Sequence, residues 1–361
     1  MKIGIDISQL AFPGSGSAVY TENLVKNLLK SQENEYVLFF SSLRQSPPKE
    51  FKSKNFKLPP LLLEQLWNRL HLLPIEKLIG KVDVFHTSDW LEPPARCPKV
   101  TTIHDLIIYK YPETFQRRGG HDIVANLKRK LAWVKKESAL IIAVSESTKQ
   151  DIIEILKIPA KKIRVIHEAC NTEFTEKSAE DTEKIKKKYG IKGDYLLAVG
   201  TLEPRKNLKR VIEAFKIVQS AKCKAQSLVI AGKFGWGNQQ SAIKFLGYVP
   251  QEDLPALYSG AQVFVYPSLY EGFGLPILEA MACGCPVVTS NVSSMPEIAG
   301  EAAVLVNPEK VEDIARGIKE VIGDKEIRDK LVKKGIERAK QFSWEKTARE
   351  TIKIYQEARR C

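Results

Sequence analysis

The segment VFVYPSLYEGFGLPILEAMACGCPVVTS, residues 263–290, constrains this chain more than any other. An apolar run, VFVY, leads into a loop carrying Gly272 and Gly274. Pro276 then stands where the first turn of a helix tolerates proline, and Gly284 with Pro286 ends that helix before a second apolar run, PVVTS. A strand, a crossover helix and a second strand make a parallel pair, and parallel sheets need helices on both faces. The expected fold class is therefore α/β.

The same alternation runs through the rest of the chain. KIGIDIS, YVLFFSS, VDVFHTS, KVTTIHDL and ALIIAVS read as strands of a first unit, with the amphipathic helix YTENLVKNLLK after the first. A Lys/Glu-rich stretch, TEKSAEDTEKIKKKYG, suits a linker and an opening helix. Beyond it come YLLAVG, the helix NLKRVIEAFKIV, SLVIAG, the loop KFGWGN, IKFLGYV, the helix EDLPALYSG, and then 263–290. At 361 residues the chain exceeds what one core usually organises. Two Rossmann-like, doubly wound domains are expected, 1–168 and 169–342. Ligands of such sheets bind beyond the carboxyl ends of the strands, so the site is expected in a cleft between the two.

Four constellations carry chemistry. The glycine loop and helix start at 272–276 form an anion site, because unsatisfied N–H groups and the helix dipole point at the loop. Glu271 and Glu279 bracket it, and side chains of a helix lean toward its amino end, so the Glu279 carboxylate can reach the loop mouth and accept sugar or ribose hydroxyls. In VGTLEPRKNLKR (199–210), Arg205 and Lys206 stand at the positive end of a helix beginning near Asn207. That placement is costly unless an anion lies between them, and a diphosphate would remove the cost. In AFPGSGSAVY, Gly14 and Gly16 let the backbone approach a phosphate or sugar. Val19 replaces the third glycine of a dinucleotide fingerprint and YVLFFSS lacks the terminal acid, which argues against a nicotinamide dehydrogenase. His104 closes the strand KVTTIHDL and is expected at the site, whereas Ser145 is read as a helix cap.

Composition limits the alternatives. Hydrophobic residues at 43% and charged residues at 27% describe an ordinary globular chain. No apolar run approaches the ~20 residues of a membrane span, and MKIGIDIS lacks a signal-peptide layout, so a cytoplasmic protein is expected. The net charge of +13 attracts anions. Its clusters are FKSKNFK (51–57), Arg117 with Arg118, and KRK (128–130) with Lys135 and Lys136. They read either as a solvated face or as a peripheral contact with an anionic membrane, and no motif for nucleic acid accompanies them. Six scattered cysteines (Cys97, Cys170, Cys223, Cys283, Cys285 and Cys361) read as reduced thiols. No Asp-x-Asp, His/Cys cluster or P-loop is visible, so no metal and no cofactor are expected.

These residues resemble the retaining glycosyltransferases of family 4, which have the GT-B architecture of two Rossmann-like domains facing across a cleft. The resemblance spans essentially the whole chain: the first glycine loop, HTSDWLEPP, TIHDL, AVSESTK, VGTLEPRKN, FLGYVP, EGFGLPILEAMACGCPVV and FSWEKTA. It is greatest for a bacterial mannosyltransferase branch that builds O-antigen and related polysaccharides. It implies transfer of a hexose, mannose from GDP-mannose, to a glycan or lipid-linked acceptor, with residues 343–361 crossing back onto the first domain. It further implies that Glu279 binds the ribose, that Glu271 and the backbone of Phe273, Gly274 and Leu275 hold the donor sugar, and that Arg205 and Lys206 clamp the diphosphate. His104 would contact the transferred sugar, and the backbone around Val249 would meet the base. Two positions depart from the pattern: Thr201 stands where many relatives have arginine, and HEACN (167–171) replaces the commoner Asn-Gly-Val-Asp. The rival readings are a sugar-nucleotide 2-epimerase of the same architecture, a phosphorylase, whose pyridoxal lysine segment is not apparent, and a non-catalytic subunit that binds sugar nucleotides.

Overall fold

The computed structural model describes all residues except 32, 88, 116–121, 202, 221–226 and 233–241. Arg117, Arg118, Cys223 and the expected loop 233–238 lie outside the described residues. The chain divides into two compact units, Met1–Glu168 with Trp344–Cys361, and Ala169–Ser343.

The first unit holds β1 (Lys2–Asp6), β2 (Glu35–Ser41), β3 (Ser53–Phe56), β4 (Val84–Thr87), β5 (Lys99–Ile103), β6 (Ser138–Ala143) and β7 (Ile163–Val165). They form one sheet in the order β3-β2-β1-β4-β5-β6-β7, with every neighbouring pair parallel. The central strands β4 and β5 are buried along their whole length because helices cover both faces, and their polar residues His86, Thr87, Lys99, Thr101 and Thr102 are buried with them. Phe39, Leu63, Trp67, Ile75, Ile79 and Phe85 form one buried cluster, each such side chain contributing roughly 1.5–3 kcal/mol by leaving water. The helix Trp344–Ala358 packs on the helix Gly16–Leu29 and on β5 and β6. Tyr355 on that last helix is fully buried, and its hydroxyl lies 2.7 Å from His86 Nδ1 while His86 Nε2 meets Thr102 Oγ1 at 2.8 Å.

The second unit holds β8 (Tyr195–Val199), β9 (Ser227–Ala231), β10 (Ile243–Gly247), β11 (Val263–Tyr266), β12 (Val287–Ser290) and β13 (Ala303–Val306). Their order is β10-β9-β8-β11-β12-β13, again parallel throughout. β8 and β9 end so close together that a Cβ on Gly232 (φ +154°) would lie 2.0 Å from the Gly200 carbonyl oxygen, so only glycine fits there.

The strands read from sequence are present, and the additional ones are β3, β7 and β13, the outer strands of their sheets. β3 and β7 are short and half-wet, so they lack the apolar run that marks a central strand, whereas the edge strand β13 does carry one, AVLV. The basic run 51–57 contains β3, whose Lys54 donates to the Ile79 carbonyl at 2.9 Å. Lys130, expected on a solvated basic face, is 2% exposed and packs inward from the helix Ile123–Glu137. Cys97, Cys170, Cys283, Cys285 and Cys361 are unpaired thiols. Among the described residues no helix is long and apolar enough to cross a membrane.

Candidate active site

In the second unit the chain builds β8, β9 and β10 to one side and then returns to place β11 beside β8. Beyond their loops the chain therefore runs on to opposite sides, from β8 to β9 and from β11 to β12, which opens a crevice at the carboxyl ends of these two strands. Pro204 starts a single 3-10 turn, Pro204–Lys206, followed by Asn207 in the left-handed region (φ 60°). The buried Asn207 amide donates to the carbonyls of Pro267 (2.9 Å) and Pro308 (2.6 Å). The Leu269 N–H donates to the Arg205 carbonyl at 2.7 Å, so the two loops are tied through their backbones.

That scaffold brings Arg205, Lys206 and Glu271 together. Arg205 Nη1 donates to Glu271 Oε2 at 2.7 Å, and Lys206 Nζ to Glu271 Oε1 at 2.7 Å. The Tyr266 hydroxyl accepts from Lys206 Nζ at 2.6 Å and donates to the same Oε1 at 2.8 Å. Arg205 Nε also meets Glu203 Oε2 at 2.8 Å. The side chains of Arg205, Lys206 and Glu271 are only 15%, 11% and 10% exposed. Burial resists ionisation of Glu271, but Lys206 and Arg205 overcome it and hold its carboxyl down at about 2. Burial lowers the Lys206 pKa, against the pull of Glu271.

The sequence left these cations awaiting an external anion. In the structure Glu271 is that anion, because β8 and β11 are neighbours and their loops emerge side by side.

The glycine loop is held from below. Ser293 Oγ donates to the Glu271 carbonyl (2.6 Å), and Ser294 Oγ donates to the Phe273 carbonyl (2.7 Å). Gly274 has φ +108°, and a Cβ there would sit 3.3 Å from the Ile277 side chain. The helix Leu275–Ala282 begins at once, with no side-chain cap among the described residues. Phe273 is buried edge-to-face against Phe342, their centroids 6.0 Å apart. Glu279 projects half-buried from the helix and accepts from the Tyr258 hydroxyl at 3.1 Å; burial pushes its carboxyl up to about 7. Val249 is buried in the loop between β10 and the turn Gln251–Asp253.

In the first unit the strand order reverses between β1 and β4. A 3-10 turn, Ser8–Ala11, intervenes between β1 and the glycine loop. Gly14 adopts φ +81°, Ser15 caps the helix by accepting from the Ala18 N–H at 3.3 Å, and Gly16 is the first helical residue. His104 follows β5; its Nδ1 lies 2.9 Å from Glu168 Oε1 and its Nε2 3.7 Å from Asp89 Oδ1. Burial works against protonation of His104, yet Asp89 and Glu168 outweigh it and raise its pKa to about 9. Ser145 caps the helix Glu146–Leu156 through the Thr148 N–H at 3.0 Å. Among the described residues no group of three or more His, Cys, Asp and Glu side chains is arranged to hold a metal ion.

Sequence reading missed Tyr266, Ser293, Ser294 and Tyr258 around the glycine loop, and Glu168 and Asp89 around His104. Tyr266 had a visible signal, as the polar-tipped last residue of an otherwise apolar strand. The serines had none, since their partners are backbone carbonyls more than twenty residues away in sequence.

Two parallel doubly wound sheets, one with a cationic cluster and a glycine loop at its switch point, define a two-Rossmann α/β protein. Residues 14–174 match the family model described as "Glycosyltransferase Family 4", and residues 181–338 the one described as "Glycosyl transferases group 1". The chain is 34% identical to the O-antigen chain mannosyltransferase B of Escherichia coli, over 98% of this chain and 99% of that one. Among solved structures it resembles a sucrose-phosphate synthase from Thermosynechococcus elongatus, with a TM-score of 0.76, 19% identity, and coverage of 99% of this chain and 98% of that one. It also resembles Anabaena HepE in complex with UDP and glucose, with a TM-score of 0.73, 18% identity, and coverage of 99% and 100%. The chain belongs to the family 4, group 1 glycosyltransferases and has their GT-B fold.

Proposed function

We propose that this glycosyltransferase moves mannose from GDP-mannose, with retention of configuration, onto a glycan acceptor, including lipid-linked glycans. The observation that carries the proposal is the buried Arg205–Lys206–Glu271 cluster at the switch point of the second sheet. The choice of mannose is supported by the full-length similarity to a protein named as a mannosyltransferase.

In this reading Arg205 and Lys206 take the two phosphates, the guanidinium by a fork and the ammonium as a point charge. The bond from the anomeric carbon to the phosphate oxygen breaks, and its electron pair leaves on the diphosphate. The acceptor hydroxyl oxygen forms the new bond on the same face and gives its proton to the departing phosphate. Rate acceleration comes mainly from stabilising that developing negative charge in a water-poor site. Glu279 accepts the ribose hydroxyls, and Glu271 with the backbone of Phe273, Gly274 and Leu275 holds the sugar hydroxyls. His104 contacts the transferred sugar, the backbone at Val249 meets the base, and the loop at Gly14 and Gly16 approaches the substrate. Two fixed cations supply the charge compensation, so the reaction is proposed to need no metal ion.

The protein is further proposed to work in the cytoplasm, in peripheral contact with an anionic membrane and without nucleic acid. Leu61, Leu62, Leu70, Leu72 and Leu73 are exposed, Leu70 at 58%. Next to them, the Trp133 ring stacks on His71 at 3.7 Å and carries Lys136 Nζ 4.6 Å above it. Leucines beside cations suit an interface of anionic lipid.

The test is a panel of sugar nucleotides screened for thermal stabilisation, then incubated with mannosylated acceptors, with the product's anomeric configuration read by NMR. GDP-mannose as the stabilising donor and an α-linked product are expected. A β-linked product refutes retention, and epimerisation of the donor without acceptor refutes transfer as the main activity.

A further inference from the structure

The run HEACN at 167–171, which departs from the family's pattern, places Glu168 against His104. Glu168 is 5% exposed, and its Oε1 lies 2.9 Å from His104 Nδ1. The Tyr20 ring packs edge-on against the imidazole, with centroids 4.6 Å apart and planes at 83°, and the Tyr20 hydroxyl meets Thr102 Oγ1 at 3.1 Å. Plane and ring orientation are thereby both set. The other nitrogen, Nε2, is buried and has no hydrogen-bond partner among the described residues; the Asp89 carboxylate at 3.7 Å is too distant to accept. A buried N–H without a partner is costly, and a ligand oxygen removes that cost.

We propose that Glu168 is a positioning residue: by holding His104 Nδ1–H it fixes the ring so that Nε2–H is left as a donor to an oxygen of the transferred sugar. This rests on the reading of His104 as a sugar contact.

An imidazole left to itself can flip and present either nitrogen, in either tautomer. One strong acceptor at Nδ1 selects the orientation, and a carboxylate also favours the doubly protonated ring, in which Nε2 carries hydrogen. The charged and titratable groups around the ring support this state. Asp89 faces it from the loop after β4 and Glu168 from the chain after β7, both adding to its proton affinity. Asp105, next in sequence, adds in the same direction, although its Oδ1 is engaged by the Ile107 N–H at 3.0 Å. His86 on β4 is kept neutral by burial, its pKa pushed down to about 3, and so does not oppose the charge. Together these place His104 at about 9, doubly protonated at neutral pH.

The experiment compares wild type, Glu168→Gln, His104→Gln and the double variant by donor affinity, kcat and the pH dependence of kcat. His104 titration is followed by NMR of histidine-15N-labelled protein. Glu168→Gln is expected to lower kcat about tenfold, as lost orienting partners commonly do, while donor affinity stays within about twofold. The alkaline limb of kcat and the His104 titration should both move to lower pH, and the substitution should cost little more once His104 is already Gln. A Glu168→Gln enzyme with unchanged kcat, pH profile and His104 titration overturns the inference while leaving the sugar-contact reading intact. A full additional loss in the His104→Gln background also overturns it, since Glu168 would then act elsewhere. Wild-type kcat in His104→Gln removes the sugar-contact reading itself, and a shifted His104 titration in Glu168→Gln would still separate that failure from a failure of the Glu168 contact.

Discussion

Replacing Glu271 by Gln keeps the shape of the side chain and removes the charge that compensates Arg205 and Lys206. Glu271 titrates at about 2 instead of its ordinary 4.5, and at about 1.36 kcal/mol per pKa unit the wild-type pairing is worth about 3 kcal/mol at neutral pH. An independent comparison agrees, because breaking a buried ion pair by removing one partner generally costs ~3–5 kcal/mol. For a domain of this size 1 kcal/mol moves Tm by about 2–4 °C. Glu271→Gln should therefore unfold about 6–12 °C below wild type at pH 7, measured by differential scanning calorimetry. The sign of the pH dependence follows from the lowered pKa. The stabilisation is present above the unfolded-state value of 4.5 and is lost as pH falls through about 2, so the gap should narrow steadily between pH 5 and pH 3. GDP should raise Tm more in the variant than in wild type, since the phosphates no longer compete with a carboxylate. A Tm within about 2 °C of wild type at pH 7, or a gap independent of pH, would refute the claim that this carboxylate is the cations' working counter-ion.

Glu279→Gln should weaken GDP binding in calorimetry by about tenfold, the worth of one hydrogen bond to a charged acceptor. Because burial raises Glu279 to about 7, wild-type affinity should fall as pH drops through neutrality, and the variant should lose that dependence. His104→Ala should lower kcat at least tenfold with little change in nucleotide affinity; equal losses in both would mark the histidine as structural. Gly274→Ala, forced to φ +108°, should lower stability by about 1–2 kcal/mol in urea titrations and disturb donor binding. Transfer should survive EDTA, and its abolition with rescue by magnesium would overturn the metal-free reading.

Much of this was legible in the residues, for identifiable reasons. The central strands β8 and β11 are continuous apolar runs, and the glycine-flanked helix start at 272–276 needs a backbone that few other residues permit, so both leave strong marks in sequence. The outer strands β3 and β7 left weak marks because they are short and much of their surface meets water, whereas β13 is the plainly apolar run AVLV. The pairing of Arg205 and Lys206 with Glu271 was hidden because it joins loops more than sixty residues apart that meet only once β11 lies beside β8. Lys130 shows the converse, since a lysine in a basic run reads as surface until the helix's inner face is known. Glu168 stood in view as a departure from the family pattern, but its partner His104 could be recognised only in three dimensions.

The most direct measurement is calorimetric binding of GDP, GMP and guanosine to wild type and to a doubly neutralised Arg205→Gln, Lys206→Gln enzyme with native circular dichroism. Wild type should prefer GDP to GMP by about ten- to a hundredfold, the worth of one charged hydrogen-bond set, and the neutralised enzyme should bind the two alike. An undiminished preference for the second phosphate in the neutralised enzyme would contradict the account.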